Sequence, residues 1–330
     1  MAKKSSTCHP SPHRRTLLVT YPRTASNLLI KMLSLEDQDK VVSNEKGGYF
    51  FWDSFLKGRT TMSTFTPAEN WTREQIEEMQ QVFQQDFSDL EIKSRLAESQ
   101  GKVFFGKEHI QWFTDPAINS STTSPINITI PSSYNTATGF SANNPTIFPD
   151  GYLATWRLTF LIRHPALAFP SFYRAMRHLE SEDFAESHEI QPMMELNTTL
   201  RWTRQLYNWC CEHKIGYDSG LPLPLILDAE DVIHSPKVVI KYADLIGLDP
   251  ARVRFEWEAG IAKSPETIMK ATIDNSSSIL KDKTPALVDI SLERRGWDLE
   301  FGEIFGRQME KWVRDAMPDY DYLRARRLQT

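Results

Sequence analysis

The chain has 330 residues, 40% of them hydrophobic, which is ample for a buried core, and residues 15–330 read as one large domain behind a tail of fourteen residues. A formal net charge of -5 excludes a surface built to coat nucleic acid and a polybasic membrane patch, which leaves a small molecule as the expected partner. Residues 1–14 are basic without an apolar segment, no later stretch approaches the roughly 18 apolar residues of a membrane span, and Cys8, Cys210 and Cys211 form neither a disulfide framework nor a metal quartet; a cytoplasmic protein is the expectation.

Thr16 to Thr20 is a short apolar run of the kind a parallel sheet buries on both faces, and Pro22 stops it. The turn Pro22-Arg23-Thr24-Ala25-Ser26-Asn27 leads into a helix whose Leu28, Leu29, Met32 and Leu33 share one face. The first turn of such a helix leaves backbone N–H groups unpaired and carries a partial positive charge, so it suits a phosphate or sulfate. Arg23 adds a full charge, and Thr24, Ser26 and Asn27 add short donors at the rim. The loop lacks the glycines and lysine of a nucleoside triphosphatase loop. Beyond Gly47-Gly48 comes an aromatic cluster, Tyr49, Phe50, Phe51, Trp52 and Phe55, which suits core packing and also suits the wall of an acceptor pocket. Thr72 and Gln75 make a capping box for a helix with Ile76, Met79, Phe83, Phe87 and Leu90 on one side.

A second buried strand, Gly101 to Gly106, is followed by Lys107-Glu108-His109, at the strand end where open parallel sheets place ligands. Residues 114–151 are rich in Ser, Thr, Asn and Pro, and read as an insertion that either closes over the acceptor or is disordered. Leu158 to Ile162 is a third strand ending in Arg163, with Ser171 eight residues on in the following helix. Leu196 to Glu212 reads as one core helix, Leu223 to Leu227 as a fourth strand, and the C-terminal helix after Phe301 as ending before Pro318.

Three of these stretches resemble one family. Thr20-Tyr21-Pro22-Arg23-Thr24-Ala25-Ser26 is similar to the 5'-phosphosulfate loop of the sulfotransferases, Lys107-x-His109 to the K-T-H segment of their cytosolic members, and Arg163 with Ser171 to their 3'-phosphate motif. Ala229-Glu230-Asp231-Val232 through Leu248 resembles a later family segment with Ala229 in place of Tyr, and Arg294-Arg295-Gly296-Trp297 is only a faint echo of another. The loop departs at Ala25, usually Gly, and at Leu28, often Trp; a methyl at position 25 crowds the phosphate if that residue takes a positive φ.

The resemblance implies a three-layer α/β P-loop sulfotransferase fold, with a central parallel sheet of four or five strands and helices on both faces. It implies the co-substrate 3'-phosphoadenosine-5'-phosphosulfate and no metal. The donor would be held by Arg23, Thr24, Ala25, Ser26 and Asn27 at its 5' end and by Arg163 and Ser171 at its 3'-phosphate. His109 would be the general base toward a hydroxyl or phenol of a small acceptor, with Lys107 and Arg23 stabilising the leaving group. Two rivals are a metabolite kinase, which predicts magnesium dependence, and a related scaffold repurposed for binding or for an elimination.

Overall fold

The computed structural model describes residues 15–44, 47–61, 67–118, 123–134, 139–179, 190–215, 224–257 and 288–330. The tail 1–14, with Cys8, lies outside them, as do residues 119–122 and 135–138 of the insertion. Five strands, β1 (Arg15–Thr20), β2 (Val41–Ser43), β3 (Val103–His109), β4 (Arg157–Ile162) and β5 (Leu225–Asp228), form one sheet in the order β2-β3-β1-β4-β5. Every neighbouring pair is parallel. The helices of the described residues are α1 (Ser26–Leu33), α2 (Trp52–Thr61), α3 (Arg73–Ser99), α4 (Asp150–Leu153), α5 (Pro165–Leu179), α6 (Ile190–Asn197), α7 (Arg201–Glu212), α8 (Ala229–His234), α9 (Pro236–Ile246), α10 (Ile290–Phe301) and α11 (Glu303–Arg324).

Strand side chains alternate between faces, and the core divides accordingly. Leu17 and Val19, Phe104, Phe160 and Ile162, and Ile226 point to one apolar layer with residues of α3, α5, α7 and α11. Leu18, Phe105, Leu161, Leu225 and Leu227 point to the other, which α1, α8 and α9 cover. Both faces of the central strands are therefore dry, which is why they read as continuous apolar runs. The chain steps from β1 to β3 on one side and to β4 on the other, so the crevice at the carboxyl end of β1 is the switch point where such sheets bind ligands. Thr20 pairs in register with His109, and Arg163 follows the last residue of β4.

Several boundaries differ from the sequence reading. Lys107, Glu108 and His109 do not follow β3 but form its last three residues, paired with Leu18, Val19 and Thr20. The edge strand β2 has only three residues, too short to show a period. The helix expected over 196–212 is two helices: the Asn197 Nδ2 and Thr198 hydroxyl groups donate to the carbonyls of Met193 and Met194 and close α6, and the Thr199 hydroxyl accepts from the Arg201 N–H as α7 begins. The last helix does not stop before Pro318 but runs to Arg324. Pro318 lies on its exposed side, while Tyr320 and Leu323 beyond it are buried and the Tyr320 hydroxyl donates to Asp228 Oδ2 at 2.8 Å, so packing carries the helix across the one missing bond. Described residues of the 114–151 insertion run along α3: the backbone N–H groups of Asn127 and Thr129 donate to Gln80 and Gln84, and Ile126 and Ile128 join the core.

Candidate active site

The turn after β1 is wound tightly. Arg23 has φ 68° and Ala25 φ 62° with ψ 23°, both left-handed, and Ala25 is the N-cap of α1 without a side-chain cap bond. The condition set by the sequence is met: position 25 takes a positive φ that glycine adopts freely and alanine does not. Thr24 is fully buried and its hydroxyl donates to the Tyr21 carbonyl at 3.1 Å, so toward the crevice it offers its backbone and not its side chain. The N-terminus of α1, with its orphan N–H groups, opens at the carboxyl edge of the sheet.

Two arginines meet there. Arg163 Nη1 donates to the Arg23 carbonyl at 3.0 Å, and Arg23 Nε donates to Ser171 Oγ at 3.0 Å. The 3'-phosphate candidates of β4 and α5 and the leading residue of the loop thus form one cationic cluster. Tyr21 fixes it from beneath, its hydroxyl accepting from the Arg163 N–H at 2.9 Å and donating to the Arg163 carbonyl. Burial lowers the pKa of the Arg23 guanidinium, and the like charge of Arg163 adds to that; burial is also the leading cause at Arg163. Desolvated like charges side by side at a helix N-terminus favour an anion between them.

His109 sits a strand away and is nearly fully buried. Thr20 gives its one hydroxyl hydrogen to the Glu108 carbonyl at 3.1 Å, so its 2.6 Å contact with His109 Nδ1 takes its hydrogen from the ring. Nδ1 therefore carries the proton, and Nε2 is the basic nitrogen. Nε2 lies 3.1 Å from the Tyr49 hydroxyl. Burial pushes the imidazole well below its ordinary 6.5, and the Lys107 charge pushes the same way, so the ring is neutral at neutral pH. Lys107 Nζ donates to Asn27 Oδ1 at 2.7 Å and stands 4.0 Å from the centre of the Tyr49 ring. Asn27 and Lys107 join the loop to the end of β3 that carries His109.

The residues singled out in sequence are brought together, and four residues assigned no role of their own from sequence join them: Thr20 and Tyr21 of the same motif, Tyr49 of the aromatic cluster, and Glu108. Tyr49 reaches His109 because the turn before it passes directly over β3. The Lys107 N–H donates to the Gly48 carbonyl at 2.9 Å, and a Cβ on Gly48, whose φ is 93°, would lie 3.0 Å from Lys107 Cβ. Gly47-Gly48 was the available signal for that close approach. Glu108 points to the opposite side of β3, where Oε1 accepts the backbone N–H groups of Phe50 and of Phe51, the latter at 3.2 Å. Burial pushes this carboxyl well above the usual range, those two N–H bonds opposing. The aromatic cluster divides: Phe50 and Phe51 enter the core, whereas Trp52, Phe55 and Trp112 pack together beside Tyr49 and His109.

Two curated relatives align over nearly the whole chain. The sulfotransferase ppzF of Metarhizium rileyi is 36% identical over 341 residues, covering 97% of this chain and 98% of its own. The sulfotransferase ppzF of Metarhizium majus is 36% identical over 334 residues, covering 96% and 97%. No family model and no solved structure matches the chain.

Proposed function

Since the chain belongs to the sulfotransferase family, we propose that it moves a sulfuryl group from 3'-phosphoadenosine-5'-phosphosulfate to a hydroxyl or phenol of a small acceptor. The observation that carries this reading is the cluster of Arg23, Arg163 and Ser171 at the uncapped start of α1, next to a neutral histidine. A cluster of this kind suits a ligand with two anionic ends, the 5'-phosphosulfate over the loop and the 3'-phosphate against Arg163 and Ser171. The donor supplies the activated sulfuryl group. Among the protein's own groups, His109 Nε2 takes the acceptor proton, and Lys107, Arg23 and the loop N–H groups stabilise charge on the leaving phosphate oxygen.

The aromatic wall of Tyr49, Trp52, Phe55 and Trp112 beside Nε2 favours a flat, unsaturated acceptor. The test is direct: the protein, the donor and a panel of phenols and alcohols, read by mass spectrometry for a sulfated product and for 3',5'-adenosine bisphosphate. Sulfated product without added magnesium supports the reading. Donor binding with no sulfated product from any acceptor would favour the repurposed scaffold.

A further inference from the structure

Both ring nitrogens of His109 are engaged by protein groups. Nδ1 is held by Thr20, and Nε2, the basic one, faces the Tyr49 hydroxyl at 3.1 Å. An acceptor hydroxyl therefore meets a phenol where it would meet the base. That phenol is built into the site: Lys107 Nζ stands over its ring at 4.0 Å, and Trp112 packs on the ring with centroids 4.7 Å apart. The glycine turn 47–48 and the two N–H bonds from Phe50 and Phe51 to Glu108 fix the backbone on either side of it.

From this chain of contacts we propose that Tyr49 is a catalytic residue, relaying the acceptor's proton to His109. The inference rests on the sulfotransferase reading. In the step, the acceptor oxygen forms its bond to sulfur as the bond from sulfur to the leaving phosphate oxygen breaks, the electron pair staying with the phosphate. The acceptor's hydroxyl proton passes to Tyr49 Oη while the proton of Tyr49 passes to His109 Nε2, which leaves a neutral phenol and an imidazolium. Lys107 supports negative charge on the phenol oxygen during the transfer.

The experiment compares the full chain with Tyr49→Phe, which keeps the ring, its packing and its contact with Lys107. Two acceptors are used at a mildly alkaline pH: 2-naphthol, which still carries its proton, and 4-nitrophenol, which is largely an anion and has none to give. The relay predicts a loss of about 100-fold in kcat with 2-naphthol, with no comparable loss on 4-nitrophenol and unchanged binding of 3',5'-adenosine bisphosphate. Unchanged or faster turnover of 2-naphthol would overturn the relay and make Tyr49 a plug displaced by the acceptor. Equal losses on both phenols would also overturn it, in favour of packing. A wild-type protein that sulfates neither phenol would overturn the reading of phenol transfer on which the relay stands, a failure visible before any variant is made.

Discussion

What suits His109 to the proposed proton transfer is how it is held, not its residue type alone. Burial and the neighbouring Lys107 charge favour the neutral ring, and Thr20 fixes the tautomer with Nε2 unprotonated. Replacing His109 by Ala should lower turnover by about 100-fold or more while leaving donor affinity intact. The base form has to be neutral, so its depressed pKa keeps it active into mild acid: kcat should fall only as pH drops below 6.5. A pH profile with its acid limb at or above 6.5 would contradict this placement. Ala25 poses the opposite problem, a side chain in a backbone state that disfavours one. Ala25→Gly should raise stability by about 1 kcal/mol, read as a shift in denaturation midpoint at constant slope. No gain would mean that the left-handed turn is not adopted in solution.

The last residues of β3 face two ways at once. Lys107 and His109 face the crevice, and Glu108 between them faces the turn that delivers Tyr49. Removing the carboxyl orphans two buried N–H groups, each worth about 1–3 kcal/mol. Glu108→Ala should therefore cost about 2–4 kcal/mol in chemical denaturation and slow turnover by loosening Tyr49. Glu108→Gln should hold most of that stability, because an amide oxygen accepts the same two N–H bonds and burial already disfavours the charged carboxylate there. Since the folded pKa lies above the ordinary 4.5, the contribution of Glu108 is complete at low pH and fades as pH rises toward the folded value; the Gln variant should lack that dependence. Gln as damaging as Ala would contradict the role of Glu108 as acceptor of those two N–H groups.

Across the whole molecule, what could be read from the sequence is what is local. The apolar run of β1, Pro22, and the spaced leucines of α1 announce strand, turn and helix within twenty residues. Arg163 and Ser171 keep a fixed spacing because β4 feeds directly into α5. The contacts across the crevice were not legible: Tyr49 meets His109 sixty positions away through a glycine turn and a hydroxyl, and neither leaves a period. Nor does Arg23 turning to Ser171, which depends on a backbone angle at position 23. Pro318 misled because packing by Tyr320 and Leu323 outweighs a local breaker. The parallel sheet makes these distant groups neighbours by ending β1, β3 and β4 at one edge.

Calorimetric titration with 3',5'-adenosine bisphosphate, against AMP and ATP with magnesium, tests whether this edge holds a 3'-phosphorylated adenosine donor, without knowledge of the acceptor. The bisphosphate should bind in preference to both controls, and Arg163→Ala should weaken it about tenfold or more until it binds no better than AMP. Equal affinity for the bisphosphate and AMP in the wild-type chain, or no binding at all, would contradict that donor site.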